Sequence, residues 1–532
     1  GRGVRSLPSP YPFLDRGVTF VTPRLLACVV ALACVAAGPL DGLDETISQT
    51  LPKANVPGLA VAVVKDDAVV YARGFGVREL GGKEPVDPDT VFAVGSVTKG
   101  MTAAALAMLA EDGKLTWDSR AAELIPGLEF ADPYATREMT VRDLLTHRSG
   151  LPAYGGDLLF SAYDYPRLEI LRRARFLKPD NGFRSTFAYQ NVLYTAAGEI
   201  VTGVSGRSWD DFLNNRIFLP LGMDRTGTRS AELGRMSNVA TPHALIEGTL
   251  QAVPRRNIDS AGGAGAAYST ASDLTRWLRV QLGLGRFGDR TLWSRRSARE
   301  MHRPQTVMRP QGLRARLYPE ANFLTYGLGW AVWDYRGRKV VEHGGSVDGM
   351  TAAVGMIPDR KLGVVVLANA DFSLLPHGVM LHVFDRYLGP GDGETADRIA
   401  EMLELEQEFR REQREKEEKA LAERVPGTKP SLAAEAYAGR YESPLYGEAD
   451  VTRSGGKLVL NVGTRLTGDL EHFHFDTFLV RWRNPIDGRG LVRFALSDLG
   501  KVTGLRLTEL ARPDQGDMVF AKRADKREEE DE

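Results

Sequence analysis

The chain has 532 residues, 43% of them hydrophobic, which is enough to bury large cores and to form more than one domain. Its 68 Lys and Arg nearly balance its 69 Asp and Glu, so no global field favours nucleic acid or an anionic membrane. A small molecule or a peptide suits this charge balance better than a polyanion as substrate.

Residues 1–40 read as a leader. The run RLLACVVALACVAA at Arg24–Ala37 follows a basic residue with a short apolar stretch and ends in small residues. That is the layout of a secretory signal peptide, too short to span a bilayer as a helix, and it implies a secreted or periplasmic protein. Both cysteines, Cys28 and Cys34, fall in this run, so no disulfide is expected beyond it. Cys34 is a lesser candidate for lipid attachment, the one membrane link that the sequence offers.

Residues 41–390 then read as one domain. Gly58–Val77 gives two β-branched strands around a Lys65-Asp66-Asp67 turn. Helical signals dominate from Ser96 to about Trp277, and strand signals return at Tyr326–Trp333, Lys339–His343, Met350–Ile357 and Leu362–Asn369. Strands at both ends with helices between predict an α/β domain whose sheet is closed by distant segments. Residues 391–430 form a charged linker, with an exposed helix over Glu394–Arg424 carrying a thin apolar stripe of Ile399, Met402, Leu403 and Phe409. Residues 431–523 show short strands at near-regular spacing, among them Lys457–Val462 and Thr477–Trp482, as in a small antiparallel barrel. Residues 524–532 form a charged tail.

Chemistry enters at Ser96 and Lys99, in VFAVGSVTKGMTAAALAMLAEDG. Thr98–Ala110 is rich in Ala, Leu and Met, with Gly113 as a stop, so a helix is predicted there. Residues i and i+3 are neighbours on a helix, which brings the Lys99 amine to the Ser96 hydroxyl. Serine needs a base, and lysine serves only when burial or nearby cations lower its pKa. Chance alone supplies such a pattern in a chain of this length, and Ser454–Lys457 in SGGK repeats it in what reads as a β-turn.

Two further groups stand in order behind the pair. Tyr189-Gln190-Asn191 precedes a helical run, and a phenol near the lysine offers a proton relay, while Asn191 is a donor for a substrate carbonyl. His343-Gly344-Gly345-Ser346 lies between strand signals, and its glycines allow backbone N–H groups to approach a ligand as an oxyanion hole.

These groups, with TVRDLLTHRSGLP at Thr140–Pro152, WDDFLNNRIFLPLGMDRTGT at Trp209–Thr228, AGGAGAAYSTASDL at Ala261–Leu274 and YGLGW at Tyr326–Trp330, resemble the serine β-lactamase and penicillin-binding-protein superfamily, in its class C-like branch. The resemblance covers roughly residues 44–387. It implies an α/β (α+β) transpeptidase-like domain, an antiparallel sheet flanked by helices plus an all-helical subdomain. AYAGRYE at Ala436–Glu442 resembles the lipocalin-like barrel often appended to that branch. The implied chemistry is an acyl-enzyme on Ser96, with Lys99 and Tyr189 sharing base and acid work as a coupled pair. The N–H groups of Ser96 and Ser346 would hold the oxyanion, and Asn191 would orient substrate and Lys99.

One departure bears on substrate. Class C β-lactamases usually carry Lys-Thr-Gly where this chain has His343-Gly344-Gly345, a form that resembles D-amino-acid peptidases and related esterases. A histidine, charged only in part near neutral pH, replaces a permanent cation, so efficient β-lactam hydrolysis is not expected. The resemblance therefore implies a serine hydrolase cutting a peptide, amide or ester bond, including in D-amino-acid peptides. A carboxylesterase, a weak β-lactamase and a silent cell-wall-peptide-binding protein are the alternatives. No cofactor or metal is implied: His472 and His474 share a strand face but lack a third ligand nearby, and His147 in LLTHRSG reads as structural. A homo-oligomer through the C-terminal domain is compatible with the sequence.

Overall fold

The structure, a computed structural model, describes residues 38–389, 397–510 and 516–524. The apolar run at 24–37, with both cysteines, and most of the tail lie outside these residues.

An eight-stranded antiparallel sheet organises the first domain. Its strands are β1 (Gly58–Lys65), β2 (Ala68–Gly76), β3 (Thr306–Val307), β4 (Leu324–Tyr326), β5 (Ala331–Tyr335), β6 (Arg338–Val347), β7 (Met350–Ile357) and β8 (Leu362–Ala368), in the spatial order β2-β1-β8-β7-β6-β5-β4-β3. Leu59 pairs with Ala368 and Lys65 with Leu362, so the first strand closes on the last across the intervening helices. β8 is buried throughout and β1 nearly so, and both are almost wholly apolar, because each face of the sheet is covered. On one face Val61, Val63, Val364 and Val366 join Leu375, Val379 and Phe384 of a helix over Leu375–Leu388. On the other, Ala62, Val365 and Leu367 share a core with α1 (Thr98–Glu111), α2 (Val192–Ser205) and α3 (Ala271–Leu282).

The sequence signal at Tyr326–Trp333 divides into two strands. A turn at 327–330 interrupts it, and a Cβ on Gly329 would lie 2.6 Å from the Lys99 carbonyl oxygen, so the break lets the sheet edge meet α1.

The linker helix, α4 (Arg398–Ala422), is docked rather than exposed along its first half. Ile399, Met402, Leu405 and Glu406 are buried, and Phe409 stacks on Phe372 at 4.9 Å. Beyond it, β9 (Gly439–Ser443) through β16 (Met518–Lys522) form a closed eight-stranded antiparallel barrel, completed where Tyr441 pairs with Lys522. Its remaining strands are β10 (Gly447–Ser454), β11 (Lys457–Val462), β12 (Leu466–His474), β13 (Thr477–Trp482), β14 (Arg489–Leu496) and β15 (Val502–Glu509). Tyr437, Tyr441, Phe478 and Phe494 pack together inside it, with ring centroids 4.8 to 6.0 Å apart. The barrel touches the first domain: Tyr165 donates to the Tyr446 carbonyl at 3.1 Å, and Arg465 to the Asn257 carbonyl at 2.6 Å. Among the described residues no helix is long and apolar enough to cross a membrane.

Candidate active site

Ser96 sits in a single 3₁₀ turn, Gly95–Val97, that leads into α1. Backbone N–H groups at a helix start lack a preceding helical carbonyl, and the helix dipole favours negative charge there. Two glycines press this turn against the end of β6. Gly95 has φ +51°, and a Cβ on it would stand 2.7 Å from the Ser346 nitrogen. A Cβ on Gly345 would stand 1.9 Å from the Val94 carbonyl oxygen and 3.2 Å from the Ser96 nitrogen. Only glycines permit this approach, and through it Ser96 and Ser346 line one cleft of about 170 Å³.

Lys99 is fully buried, the second residue of a helix that is buried from Thr98 to Leu109. Its Nζ lies 2.9 Å from Ser96 Oγ, 2.6 Å from Asn191 Oδ1 and 2.7 Å from the Ala264 carbonyl oxygen. Burial lowers its pKa to about 7, against an opposing pull from Asp157. Each pKa unit is about 1.4 kcal/mol, so the site favours the neutral amine over the ammonium by several kcal/mol relative to water. A neutral amine has two N–H groups. The Asn191 and Ala264 oxygens can only accept, so they take both, and the lone pair is left facing the Ser96 hydroxyl.

Asn191 stands just before α2 but makes no side-chain cap on it. Its Oδ1 accepts from Lys99, while its Nδ2 donates to Asp157 Oδ2 at 2.8 Å. The amine and the carboxylate fix this orientation of the amide, because the flipped form would lose both contacts. Asp157 belongs to no motif in the sequence. In the structure Asp157, Phe160 and Ser161 line the cleft.

Tyr189 lies beside the pair, its ring centroid 4.7 Å from Lys99 Nζ. A phenol beside a lysine ammonium would lose its proton more easily. Burial instead raises its pKa well above 10, and a hydrogen bond with Ser96 opposes that only in part. Lys99 is itself only about half protonated near pH 7, so the expected cation is weakened. Tyr189 thus keeps its proton and can donate it. His147 packs against the phenol with its ring tilted by 34° at 4.3 Å; its Nδ1 accepts from the Gln190 N–H at 3.0 Å, which leaves the proton on Nε2.

His343 differs from its expected place. Its Nε2 pairs with the Tyr326 hydroxyl at 2.8 Å and its Nδ1 with the Gly344 carbonyl at 2.6 Å, so Nδ1 donates and Nε2 accepts. Burial, with Lys99 nearby, lowers its pKa to about 3. It is therefore neutral, not partly charged, and neither it nor Gly344 or Gly345 lines the cleft, whereas Asn191, Ser96 and Ser346 do. His472 and His474 also part company: a bulge separates them, and they meet the Phe475 carbonyl and the Val425 N–H. Among the described residues no cluster could hold a metal ion.

Comparison with known proteins extends this geometry. Residues 43–380 match the Beta-lactamase family, and residues 423–522 match a domain of unknown function, DUF3471. The chain is 28% identical over 430 residues to the unguisins hydrolase ungD' of Aspergillus campestris, covering 77% of each chain. It is 30% identical over 328 residues to penicillin-binding protein 4 of Amycolatopsis lactamdurans, covering 59% of this chain and 81% of that one. The solved octameric penicillin-binding protein homologue from Pyrococcus abyssi shares the fold, with a TM-score of 0.58 at 24% identity over 90% of this chain and 99% of that one. A buried lysine facing a serine at a helix start, in a chain whose first domain matches that family across its length, identifies this protein as a serine hydrolase of the beta-lactamase family.

Proposed function

We propose that Ser96 is the nucleophile, Lys99 its base and Tyr189 the acid in the cleavage of a peptide, amide or ester bond. The Lys99 amine carries this reading, because its two other neighbours accept both of its protons and leave its lone pair toward Ser96. Ser96 Oγ gives its proton to Lys99 and bonds the carbonyl carbon. The carbonyl oxygen becomes an oxyanion held by the N–H groups of Ser96 and Ser346. As the tetrahedral intermediate collapses, the bond to the leaving amine or alkoxide breaks, and Tyr189 supplies its proton while drawing one from Lys99. Water then attacks the acyl-enzyme by the same route in reverse, releasing the acid and free Ser96.

The neutral His343 supports substrates without a carboxylate at that position, so neutral esters and D-aminoacyl amides stand ahead of β-lactams. The relative named for hydrolysing unguisins supports hydrolysis outside the β-lactams as well. Export rests on the apolar run at Arg24–Ala37. Incubation with a fluorophosphonate, followed by mass spectrometry, is expected to place the adduct on Ser96. Among p-nitrophenyl esters, D-aminoacyl anilides and nitrocefin, nitrocefin is expected to turn over slowest. An unlabelled Ser96 in folded, active protein would overturn the reading.

A further inference from the structure

The cleft holds one basic side chain among its described lining residues, Arg256, and the barrel reaches it. Arg256 is only 9% exposed. Its Nε bonds Asp348, which follows Ser346 by two residues in the turn after β6, and its Nη1 donates to the Ser161 carbonyl at 2.8 Å. Its Nη2 donates at 2.5 Å to Asp487 Oδ1, from the short 3₁₀ turn Pro485–Asp487 between β13 and β14 of the barrel. Asp487 is itself nearly buried. Three of the five guanidinium N–H groups are thus taken, and two are without a partner among the described residues.

The charge count at this wall decides what those two donors can receive. One guanidinium against two carboxylates leaves −1, and Asp157 adds another carboxylate to the lining. A substrate carboxylate brought to Arg256 would meet a cation already cancelled twice, whereas a neutral carbonyl would find donors and no net repulsion to overcome. Without Asp487 the guanidinium would carry one counter-charge, and a carboxylate on the substrate could supply the second.

We propose that Asp487 of the barrel sets the substrate preference of the cleft by neutralising Arg256, so that groups bearing a neutral hydrogen-bond acceptor are taken and groups bearing a carboxylate are rejected. The proposal rests on the cleft around Ser96 being the place of catalysis. It gives the second domain a part in specificity: its turn tunes a cation in the other domain without contributing to bond breaking. Asp487 and Arg256 are therefore specificity-determining residues, and their loss alters which substrate is used more than whether Ser96 reacts.

The test uses the full chain and two substrate pairs. Mono-4-nitrophenyl succinate against 4-nitrophenyl butyrate places a carboxylate on the acyl side, and 3-carboxyphenyl acetate against phenyl acetate places one on the leaving side. In Asp487→Asn the ratio of kcat/KM, charged over neutral, is expected to rise about tenfold for at least one pair, since removing one unit charge in a half-screened site is an effect of that order. In Arg256→Gln combined with Asp487→Asn the gain is expected to vanish. Tyr165→Phe loses a hydrogen bond between the same two domains but touches no lining residue, and its ratios are expected to match the wild type. Unchanged ratios in Asp487→Asn, or an equal rise in Tyr165→Phe, would overturn the proposal. Fluorophosphonate labelling of Ser96 in every variant separates that result from a failure of the catalytic reading, in which the wild type itself would not label. Should Asp487→Asn not fold, Asp348→Asn removes the other carboxylate and is expected to raise the same ratio; an unchanged ratio there would equally count against it.

Discussion

Ser96–Lys99 and Ser454–Lys457 carry the same four-residue spacing in two parts of one chain and differ in nearly everything else. The first spans the start of a buried helix, with the lysine fully enclosed and its nitrogen 2.9 Å from the serine oxygen. The second spans a hairpin turn between β10 and β11, where Gly455 and Gly456 take positive φ and all four residues are exposed. There Lys457 lies in solvent on a turn, not enclosed in a helix beside its serine. Spacing brings two groups near each other; burial and the acceptors around the amine decide whether they react.

The contrast can be broken or sharpened by substitution. The largest effect is expected from serine: Ser96→Ala should lower kcat/KM by about 10³-fold or more, while Ser454→Ala should leave activity unchanged and stability within about 0.5 kcal/mol. Equal losses at both would erase the distinction. Next, Lys99→Met should cost about 10²- to 10⁴-fold in kcat with the fold retained, since it removes the base but keeps an unbranched apolar stem, and Lys457→Met should cost nothing measurable. Circular dichroism of both variants checks that the loss is chemical. Tyr189→Phe should cost about 10²-fold, and more for an anilide than for a p-nitrophenyl ester, because the poorer leaving group needs the proton more. A loss equal for both substrates would remove Tyr189 from the acid role. The smallest effect is a shift. Asp157 raises the pKa of Lys99, so Asp157→Asn should move the acid limb of kcat/KM to lower pH, by about one unit or less. A shift to higher pH would mean that the carboxylate acts by some other route.

Local pattern and distant packing were unequally legible in the sequence. The hairpin at Gly58–Val77 and the barrel strands at Lys457–Val462 and Thr477–Trp482 were readable because alternation and turn residues are local signals. The division of Tyr326–Trp333 was not, since it follows from the backbone of Gly329 meeting Lys99, more than two hundred residues away. The docking of α4 was half legible: its apolar stripe was visible, and the surface that covers it was not. In the site, Ser96, Lys99, Tyr189 and Asn191 were found through motifs, and the structure brings all four together. Asp157, Arg256 and the Ala264 carbonyl have no such signature: a loop carboxylate, an arginine among many, and a backbone oxygen acquire meaning only from position. His343 shows the reverse. Its motif was visible, yet the side chain turns away to Tyr326, and what the motif supplies is Gly345, whose missing side chain lets the strand end that carries Ser346 close on Ser96.

The central claim is that the neutral amine of Lys99 takes the Ser96 proton. The direct test is the single-turnover rate of Ser96 acylation by an ester, followed from pH 5 to 9 in wild-type protein. The rate is expected to fall tenfold per unit below a midpoint near pH 7 and to level above it, because Lys99 becomes a base only as pH rises through its pKa of about 7. A rate that stays flat across that range, with Ser96 still acylated, would contradict it.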